Sequence, residues 1–247
     1  MGKQEQTDQR RRNLLWVGVV VLTGIWLTLW SGQTSGSGVV LAQSGTAIAS
    51  GTAQAMQTPV LPPPACTDPV ALTPAMTEGP YYTRNAPERT SLIEPGVKGT
   101  KIVLVGYVLT ADCKPIEHAW VDFWQADGEG VYDNDGFRLR GHQFTGKDGR
   151  YYLETVYPGL YPGRTAHIHV KVQAPNQSVL TSQIFFPGEV RNSTDSIFST
   201  ELLAAPLNPA TGQLATLSPL ASTPAAGQSA QPPTYVFNFV LDVRSGS

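Results

Sequence analysis

Residues 166–173 read AHIHVKVQ and alternate apolar with polar side chains. Strict alternation over a short run predicts a β-strand whose two faces meet different surroundings. A strand places residues two apart on the same face, about 7 Å apart at ~3.4 Å rise per residue. His167 and His169 therefore share one face of the predicted strand, where two imidazoles can bind one metal ion. A single His-x-His pair also occurs as ordinary packing, so a metal site needs further ligands.

Five more runs of strand character surround this one, separated by turn residues. They are residues 101–110, 116–125, 150–156, 179–186 and 235–243. Lys147-Asp148-Gly149 and Tyr157-Pro158-Gly159 supply the chemistry of tight turns. A short helix is expected near residues 194–203, with Asp195 or Ser196 as its N-cap. The sequence therefore predicts an all-β fold, an antiparallel β-sandwich with long loops.

The N-terminus has the pattern of an export or anchor signal. Lys3 and Arg10-Arg11-Arg12 precede residues 14–30, a 17-residue run that only Gly and Thr interrupt. A basic flank followed by such a run predicts a signal peptide or a signal-anchor helix within residues 1–30. The positive-inside rule keeps the basic end in the cytoplasm. We therefore expect an extracytoplasmic protein, periplasmic or secreted, that stays attached to the membrane if the segment is uncleaved.

The rest of the chain divides by composition. Residues 31–65 are rich in Ser, Gly, Thr, Ala and Gln and predict a flexible linker. Residues 66–247 form the predicted globular domain, with a low-complexity loop at 204–234. Cys66 and Cys113 lie in the exported part, where disulfides persist, and a bridge between them would contribute about 4 kcal/mol. Two unpaired thiols are the alternative.

Charge narrows the possible partners. Charged residues make up 15% of the chain and the net charge is −2. Residues 14–65 and 202–241 carry no charged side chain at all. A nucleic-acid binder depends on neutralising phosphates with an excess of Lys and Arg, so this balance argues against one.

Two tyrosines flank the histidine pair in sequence. Tyr161 lies six residues before His167 in a turn rich in Pro and Gly, and Tyr132 ends a stretch that begins at Trp124. Phenolate is a hard anionic ligand, and two phenolates with two imidazoles favour ferric iron over softer metals. From the residues alone, packing at a strand edge is the more usual role for both tyrosines.

Seven segments, in this order, resemble the intradiol ring-cleavage dioxygenases, the family of the catechol 1,2- and protocatechuate 3,4-dioxygenases. They cover roughly residues 66–200. The matching segments are 77–82 (TEGPYY), 121–125 (VDFWQ), 130–132 (GVY), 148–152 (DGRYY), 157–161 (YPGLY), 164–169 (RTAHIH) and 182–183 (SQ). By this resemblance the four protein ligands of a non-haem Fe(III) are Tyr132, Tyr161, His167 and His169.

The resemblance also implies a reaction. The substrate is a catechol-type aromatic diol, which O₂ cleaves between the two hydroxyl-bearing carbons to give a cis,cis-muconate-type product. Arg164 is expected to stabilise charge on the bound diol, and Gln183 to line its pocket. Tyr161 is expected to leave the iron when the diol binds, while Trp124 and Tyr81 are expected in the pocket wall.

The chain departs from the soluble members in one loop. Only five residues separate Tyr161 from His167, where those enzymes carry a longer insert. The resemblance therefore implies a more open site, suited to larger aromatic diols. The helical N-terminal region through which catechol 1,2-dioxygenases dimerise has no counterpart, so the oligomeric state stays open.

Two other functions are compatible with the residues. One is a membrane-tethered, non-catalytic β-sandwich module that binds a metal or a ligand. The other is a different metalloenzyme, either a zinc hydrolase or a cupin-like protein. A cupin pattern calls for Glu about four residues past His169, where the chain has Gln173. A three-histidine zinc site would need His118 or His142.

Overall fold

The computed structural model describes residues 59, 61–64, 70–208, 211–214 and 231–243. In this part the chain forms two packed β-sheets, which confirms the predicted all-β sandwich. The strands are β1 (Lys101–Thr110), β2 (Trp120–Trp124), β3 (Arg140–Phe144), β4 (Arg150–Val156), β5 (His167–Gln173), β6 (Leu180–Phe185), β7 (Ala205–Leu207), β8 (Thr234–Val236) and β9 (Phe239–Leu241).

The two sheets differ in strand direction. The first has the order β4-β1-β8-β7, and β9 pairs with the far half of β1. Both β8 and β9 run parallel to β1, so this sheet is mixed rather than antiparallel throughout as the sequence predicted. The second has the order β3-β2-β5-β6 and is antiparallel throughout.

The core lies between the sheets and follows from alternation along the strands. Ile168, Val170 and Val172 of β5 point inward and are fully buried. They pack with inward residues of β1 and β4, such as Leu104 and Leu153, in one hydrophobic cluster. Burying each such side chain contributes about 1.5–3 kcal/mol. The core therefore fixes the register of β5, and with it the face on which the histidines lie.

The last predicted strand, residues 235–243, is divided in the structure. It forms β8 and β9, with Phe237 and Asn238 between them. A Cβ at Gly106 of β1 would lie 1.8 Å from the Phe237 carbonyl oxygen, so the backbones approach closely here. The Asn238 side chain accepts a hydrogen bond from the Tyr107 N–H at 3.0 Å. A side chain therefore replaces the main-chain partner at the interruption.

Two strands were not expected from the sequence. β3 lacks a run of β-branched residues, and β7 contains Pro206 within the predicted loop at 204–234. Both lie at sheet edges, where weak strand formers and proline are tolerated. Residues 209–210 and 215–230 of that loop lie outside the described residues.

The helix predicted near residues 194–203 is wrong. The chain forms two 3₁₀ turns instead, Val190–Ser193 and Thr200–Leu202. Asp195 does not cap a helix, because its carboxylate accepts hydrogen bonds from Arg164, from the Thr165 N–H and from the Ile197 N–H.

The N-terminal expectations fall largely outside the described residues. These include the signal segment 1–30, most of the linker 31–65, and Cys66, so the disulfide to Cys113 stays a prediction. At the end of the linker, Leu61 is buried and packs with Val103 and Val105 on the outer face of the first sheet. Across the described ranges no helix has the length and hydrophobicity needed to cross a membrane.

Candidate metal centre

The outer face of the second sheet carries the histidine pair. Because Ile168 points into the core, His167 and His169 point away from it, yet both are buried. Strand register sets the neighbours of His169, with Trp124 of β2 on one side and Gln183 of β6 on the other. Three residues expected in the site therefore come from three adjacent strands.

Two loops bring the tyrosines over this face. A Cβ at Gly130 would lie 2.3 Å from the Leu160 carbonyl oxygen, and one at Gly159 would lie 2.4 Å from the Gly130 nitrogen. Only glycine permits so close an approach of the two backbones. Tyr132 and Tyr161, which follow on these loops, come within 5.7 Å of each other, measured between ring centroids.

The N-terminal segment 74–82 lies across the same face. The Met76 N–H donates to the Thr181 carbonyl at 2.8 Å, and the Ser182 hydroxyl donates to the Pro74 carbonyl at 2.8 Å. A Cβ at Gly79 would lie 3.2 Å from Cε1 of His169. The segment therefore excludes solvent from one side of the histidine.

Side-chain atoms of three of the four expected ligands converge. The Nε2 atoms of His167 and His169 are 3.1 Å apart, and Tyr161 Oη lies 3.3 Å from His167 Nε2. His167 Nδ1 donates to the Thr165 carbonyl at 2.7 Å. This hydrogen bond places the ring proton on Nδ1 and leaves the Nε2 lone pair directed into the site.

The residues fit a metal ion. Tyr132 Oη and His169 Nδ1 are buried without a hydrogen-bond partner of normal geometry among the described residues. Leaving a buried polar atom unpaired costs about 1–3 kcal/mol. A cation bound at this point would give Tyr132 Oη a partner. It would also bind the lone pairs of the two Nε2 atoms that face each other. Phenolate and imidazole are the donor set that suits ferric iron.

Other metal sites find less support. Among the described residues no three or more His, Cys, Asp or Glu side chains form a group suited to a metal ion. His142 Nδ1 bonds to the Ala86 carbonyl at 2.7 Å, and the His118 ring stacks on Phe144. Neither histidine joins the pair to complete the three-histidine zinc site considered above.

Burial sets the protonation of the ligands. It lowers the pKa of His167 to about 4, helped by the Arg164 charge, and lowers the pKa of His169 as well. Burial raises the pKa of Tyr132 and, against the opposing charge of Arg164, the pKa of Tyr161. Both imidazoles are thus neutral and able to bind a metal at neutral pH. The phenols need a strong positive charge nearby to ionise, which a trivalent cation supplies.

Arg164 links the expected catalytic residues. Its Nη1 donates to Tyr161 Oη at 3.1 Å and its Nη2 donates to Gln183 Oε1 at 2.5 Å. Gln183 Nε2 in turn donates to the Thr77 carbonyl at 3.0 Å, which fixes the direction of the amide. The structure therefore brings Arg164, Gln183 and Tyr161 together as the sequence predicted.

Comparison with known proteins agrees with this arrangement. A family model described as "Dioxygenase" matches residues 77–243. The chain is 31% identical to a 6-chlorohydroxyquinol 1,2-dioxygenase of Cupriavidus pinatubonensis, over 55% of this chain and 56% of that protein. It is 29% identical to a catechol 1,2-dioxygenase of Acinetobacter baylyi, over 52% of this chain and 50% of that protein. The chain belongs to the intradiol dioxygenase family. It spans about half the length of these curated relatives.

A solved structure is similar to this chain over the whole of its own length. It is the dioxygenase domain of a dioxygenase carbohydrate-binding protein fusion from the cellulolytic bacterium Streptomyces sp. SirexAA-E. The identity is 46% and the TM-score is 0.59, and the match covers 70% of this chain and 100% of that one.

Two aromatic residues expected in the pocket wall lie beside the expected metal ligands. Trp124 is 1% exposed and its ring stacks on His169, with centroids 4.9 Å apart and planes 9° from parallel. Tyr81 stacks on Tyr132 at 4.4 Å. Trp124 therefore packs against the ring of His169, and Tyr81 packs against the ring of Tyr132, so each supports one expected ligand.

Sequence reasoning missed two charged residues of the candidate site. Arg140 is buried and donates to the carbonyls of Tyr81 and Asp133, which holds both segments that flank Tyr132. Asp195 pairs with Arg164 Nε at 2.9 Å. Arg140 gave no usable signal because its strand was not predicted, and Asp195 had the pattern of a helix cap.

Proposed function

We propose that the protein is a non-haem Fe(III) dioxygenase that cleaves catechol-type aromatic diols with O₂. The bond between the two hydroxyl-bearing carbons breaks, and both atoms of O₂ enter a cis,cis-muconate-type product. The observation that carries this proposal is the convergence of Tyr161 Oη, His167 Nε2 and His169 Nε2 beside the Arg164–Gln183 pair. No organic cofactor takes part.

Tyr132, Tyr161, His167 and His169 would hold the iron. Bound there, Fe(III) supplies a Lewis acid that withdraws electron density from the diol and opens its ring to O₂. The neutral imidazoles of His167 and His169 and the two phenolates would together balance only part of the charge of a ferric ion. The site would therefore favour a diol that has given up its hydroxyl protons.

The chain's own residues move protons and stabilise charge. Tyr161 is half-buried, unlike Tyr132, so it is the ligand that an entering diol can displace. Its Oη then takes up a proton from a diol hydroxyl as a general base. Arg164 is always cationic and its Nη1 faces that same atom, so it stabilises negative charge on the diol ring.

We also propose that larger diols, including plant-type catechols, are substrates. Only five residues separate Tyr161 from His167, and Leu160 beside the site is 41% exposed. The similar Streptomyces domain belongs to a carbohydrate-binding fusion from a cellulolytic bacterium, which supports a role on plant matter. Activity confined to one small substituted catechol would contradict this part of the proposal.

The site of action that we propose is extracytoplasmic. The apolar run at residues 14–30 behind a basic flank supports export, with the domain attached to the membrane if the run is uncleaved. Cell fractionation with an antibody to the domain tests it. Protein confined to the cytoplasmic fraction would refute export.

Purified iron-loaded protein tests the function directly. Charge transfer from tyrosinate to Fe(III) should give a visible absorption band, and catechol should shift this band and consume O₂. We expect one O₂ per diol and a muconate-type product by mass spectrometry, with both oxygen atoms from ¹⁸O₂. Iron binding with neither a shift nor O₂ uptake would favour the non-catalytic binding module instead.

Ligand variants test the site residues. The double variant Tyr161→Phe with His169→Ala should lose bound iron, and unchanged iron content would refute the assignment. Tyr157→Phe is the matched control, since Tyr157 lies on the same loop but donates to Glu189 rather than facing the histidines. We expect this control to keep its iron and its absorption band.

A further inference from the structure

The loop that carries Tyr161 and Arg164 has weak apolar anchoring. Leu160 is largely exposed, and Gly163 adopts φ +80° with no heavy atom within 4 Å of its Cβ position. Ala166, directly before β5, is the residue at which the chain returns to the main hydrophobic core. Apart from the packing of the Tyr161 ring against Tyr81 and Tyr132, the positions of Tyr161 and Arg164 therefore depend on polar contacts.

These contacts come from one segment after β6, residues 189–195, which we call the clamp segment. Arg191 Nη1 donates to the carbonyl of Tyr161 at 3.0 Å and to that of Arg164 at 3.3 Å. The Thr165 hydroxyl donates to Asn192 Oδ1 at 2.7 Å. The clamp segment therefore binds the backbone of the loop at both ends of the 161–165 stretch.

Asp195 contributes the one contact of the clamp segment that reaches a catalytic side chain. Its Oδ2 accepts from Arg164 Nε at 2.9 Å and from the Thr165 N–H at 2.9 Å, while its Oδ1 accepts from the Ile197 N–H at 3.1 Å. Both oxygens are thus used, so the carboxylate has a fixed orientation. Burial alone would raise the pKa of Asp195, but the hydrogen bonds from Thr165 and Arg164 lower it, and the group is ionised.

This ion pair differs from the others in the described residues. The side chains of Arg164 and Asp195 are 15% and 1% exposed, whereas every other pair has at least one partner more than a third exposed. A buried ion pair is weak evidence for stability, since desolvation offsets the attraction. Its geometry, in contrast, is well defined, because the guanidinium is planar and Nε fixes the plane.

We propose that Asp195 is a positioning residue that sets which edge of the Arg164 guanidinium faces the iron site. With Nε held by Asp195, Nη1 is directed to Tyr161 Oη and Nη2 to Gln183 Oε1. The proposal rests on the proposed function, in which this edge stabilises charge on the diol. Without Asp195, Arg164 keeps its charge but loses the orientation.

Asp195→Asn is the direct test. The Asp195 carboxylate accepts from three N–H donors with two oxygens, whereas an amide has only one acceptor oxygen. The NH₂ group of the amide must therefore face another N–H. We expect kcat/KM to fall about 10–100-fold through misplacement of the catalytic group. Iron content should not change, because none of the four expected ligands is altered. Glu189→Gln is the matched control, because it removes a charge from the clamp segment and keeps an acceptor for Tyr157. We expect the control within twofold of wild type.

A double-variant cycle separates positioning from general stabilisation. If Asp195 acts through Arg164, Asp195→Asn should cause no further loss of kcat/KM in an Arg164→Ala background. Losses that multiply would overturn the proposal. Should Asp195→Asn fail to fold, Arg164→Lys carries the test, since lysine keeps the charge without the planar fork. Recovery of wild-type activity with lysine would show that orientation does not matter.

A spectroscopic readout makes the proposal independent of turnover. In full-length protein loaded with diamagnetic Ga(III), the Arg164 Nε–H should give a ¹⁵N NMR signal that exchanges slowly with water, assigned by its loss in Arg164→Ala. Asp195→Asn should speed this exchange at least tenfold, and an unchanged rate would refute positioning. A slow signal in wild-type protein without ring cleavage would instead refute the proposed function alone.

Discussion

The outer faces of the two sheets are both covered, but one carries apolar side chains and the other carries polar ones. On the first sheet, Val103, Val105 and Leu109 of β1 point outward into a second apolar cluster that includes Leu61. On the second sheet, the outward residues include Asp122 and His169, and segment 74–82 and the site loops cover them. The hydrophobic effect accounts for the first face, whereas covering the second costs free energy wherever a polar group lacks a partner.

Unpaired polar atoms mark where that cost is concentrated. In the described residues four buried side-chain atoms lack a hydrogen-bond partner, and three belong to Trp124, Tyr132 and His169. These three residues surround the proposed iron. In our proposal, iron binding explains why the second face keeps unpaired polar atoms, whereas stability alone explains the burial of the first face.

The largest effect is expected from removing an expected iron ligand from the polar face. His169→Ala should weaken iron binding by more than about 100-fold, since loss of even an outer partner of a metal ligand costs 10–100-fold. Ring cleavage should fall to background. His118→Ala is the control, because His118 stacks on Phe144 away from the site. Iron content by mass spectrometry checks both, and equal losses would contradict the assignment.

A matched change on the apolar face should affect stability without affecting chemistry. Leu109 is 2% exposed, and Leu109→Ala should lower the free energy of unfolding by about 2–4 kcal/mol. Iron bound per folded molecule and kcat should stay at wild-type values. Urea unfolding and oxygen uptake measure the two quantities. Loss of iron at full folding would show that the two faces are coupled.

Asp122 on the polar face should make the free energy of unfolding depend on pH. Burial raises its pKa to about 6, although Tyr82, His142, Lys171 and Arg140 oppose the shift. Because the folded pKa lies above the unfolded one, stability from this group is full below about pH 4 and is lost as the pH rises through 6. Asp122→Asn keeps an acceptor for the Tyr82 hydroxyl. Compared with wild type, we expect it to unfold alike at pH 4 and to be about 2 kcal/mol more stable at pH 7.

The pH-dependent difference in unfolding free energy is the measurement for Asp122. A variant that is less stable than wild type at pH 7 would mean that the carboxylate is stabilised rather than strained. Iron binding serves as the control, because Asp122 does not contact the expected ligands.

The smallest effect is expected at the rim of the polar face. Lys171 Nζ pairs with Glu78 at 2.6 Å, but the Glu78 side chain is 48% exposed. Exposed ion pairs contribute about 0–1 kcal/mol, so Glu78→Gln should change the unfolding free energy by less than that. Thermal unfolding at low and high salt checks it. A larger loss would mean that this pair, rather than packing, holds segment 74–82 in place.

The sequence predicted the elements that alternate strongly and missed those defined by their neighbours. The predicted bounds of β1 and β4 are those of the structure, because hydrophobic and β-branched residues fill them. β3 was missed because an edge strand is held by pairing with β2 rather than by its own composition. The break between β8 and β9 depends on Gly106, which lies 131 residues away from Phe237 and so leaves no local signal.

The candidate site followed the same division. Some side chains, such as those of His167, His169 and Tyr161, can be recognised from the sequence as metal ligands. These residues were predicted, and they lie together. Arg140 and Asp195 were not, because each acts by holding another residue and only the folded chain shows which one. Trp124 was assigned to the pocket wall, and its stacking on His169 adds a supporting role that spacing alone did not indicate.

Ile168 lies between the two histidines and points into the core. One register of β5 therefore fixes both the core and the proposed metal centre. A point substitution at either histidine leaves Ile168 and Val170 in the core, so the proposed iron site can be lost while the fold is kept. An insertion of one residue between Ile168 and His169 would turn His169 inward and Val170 outward. Insertions and deletions within β5 are therefore selected against by folding itself, whereas single substitutions at the two histidines are not.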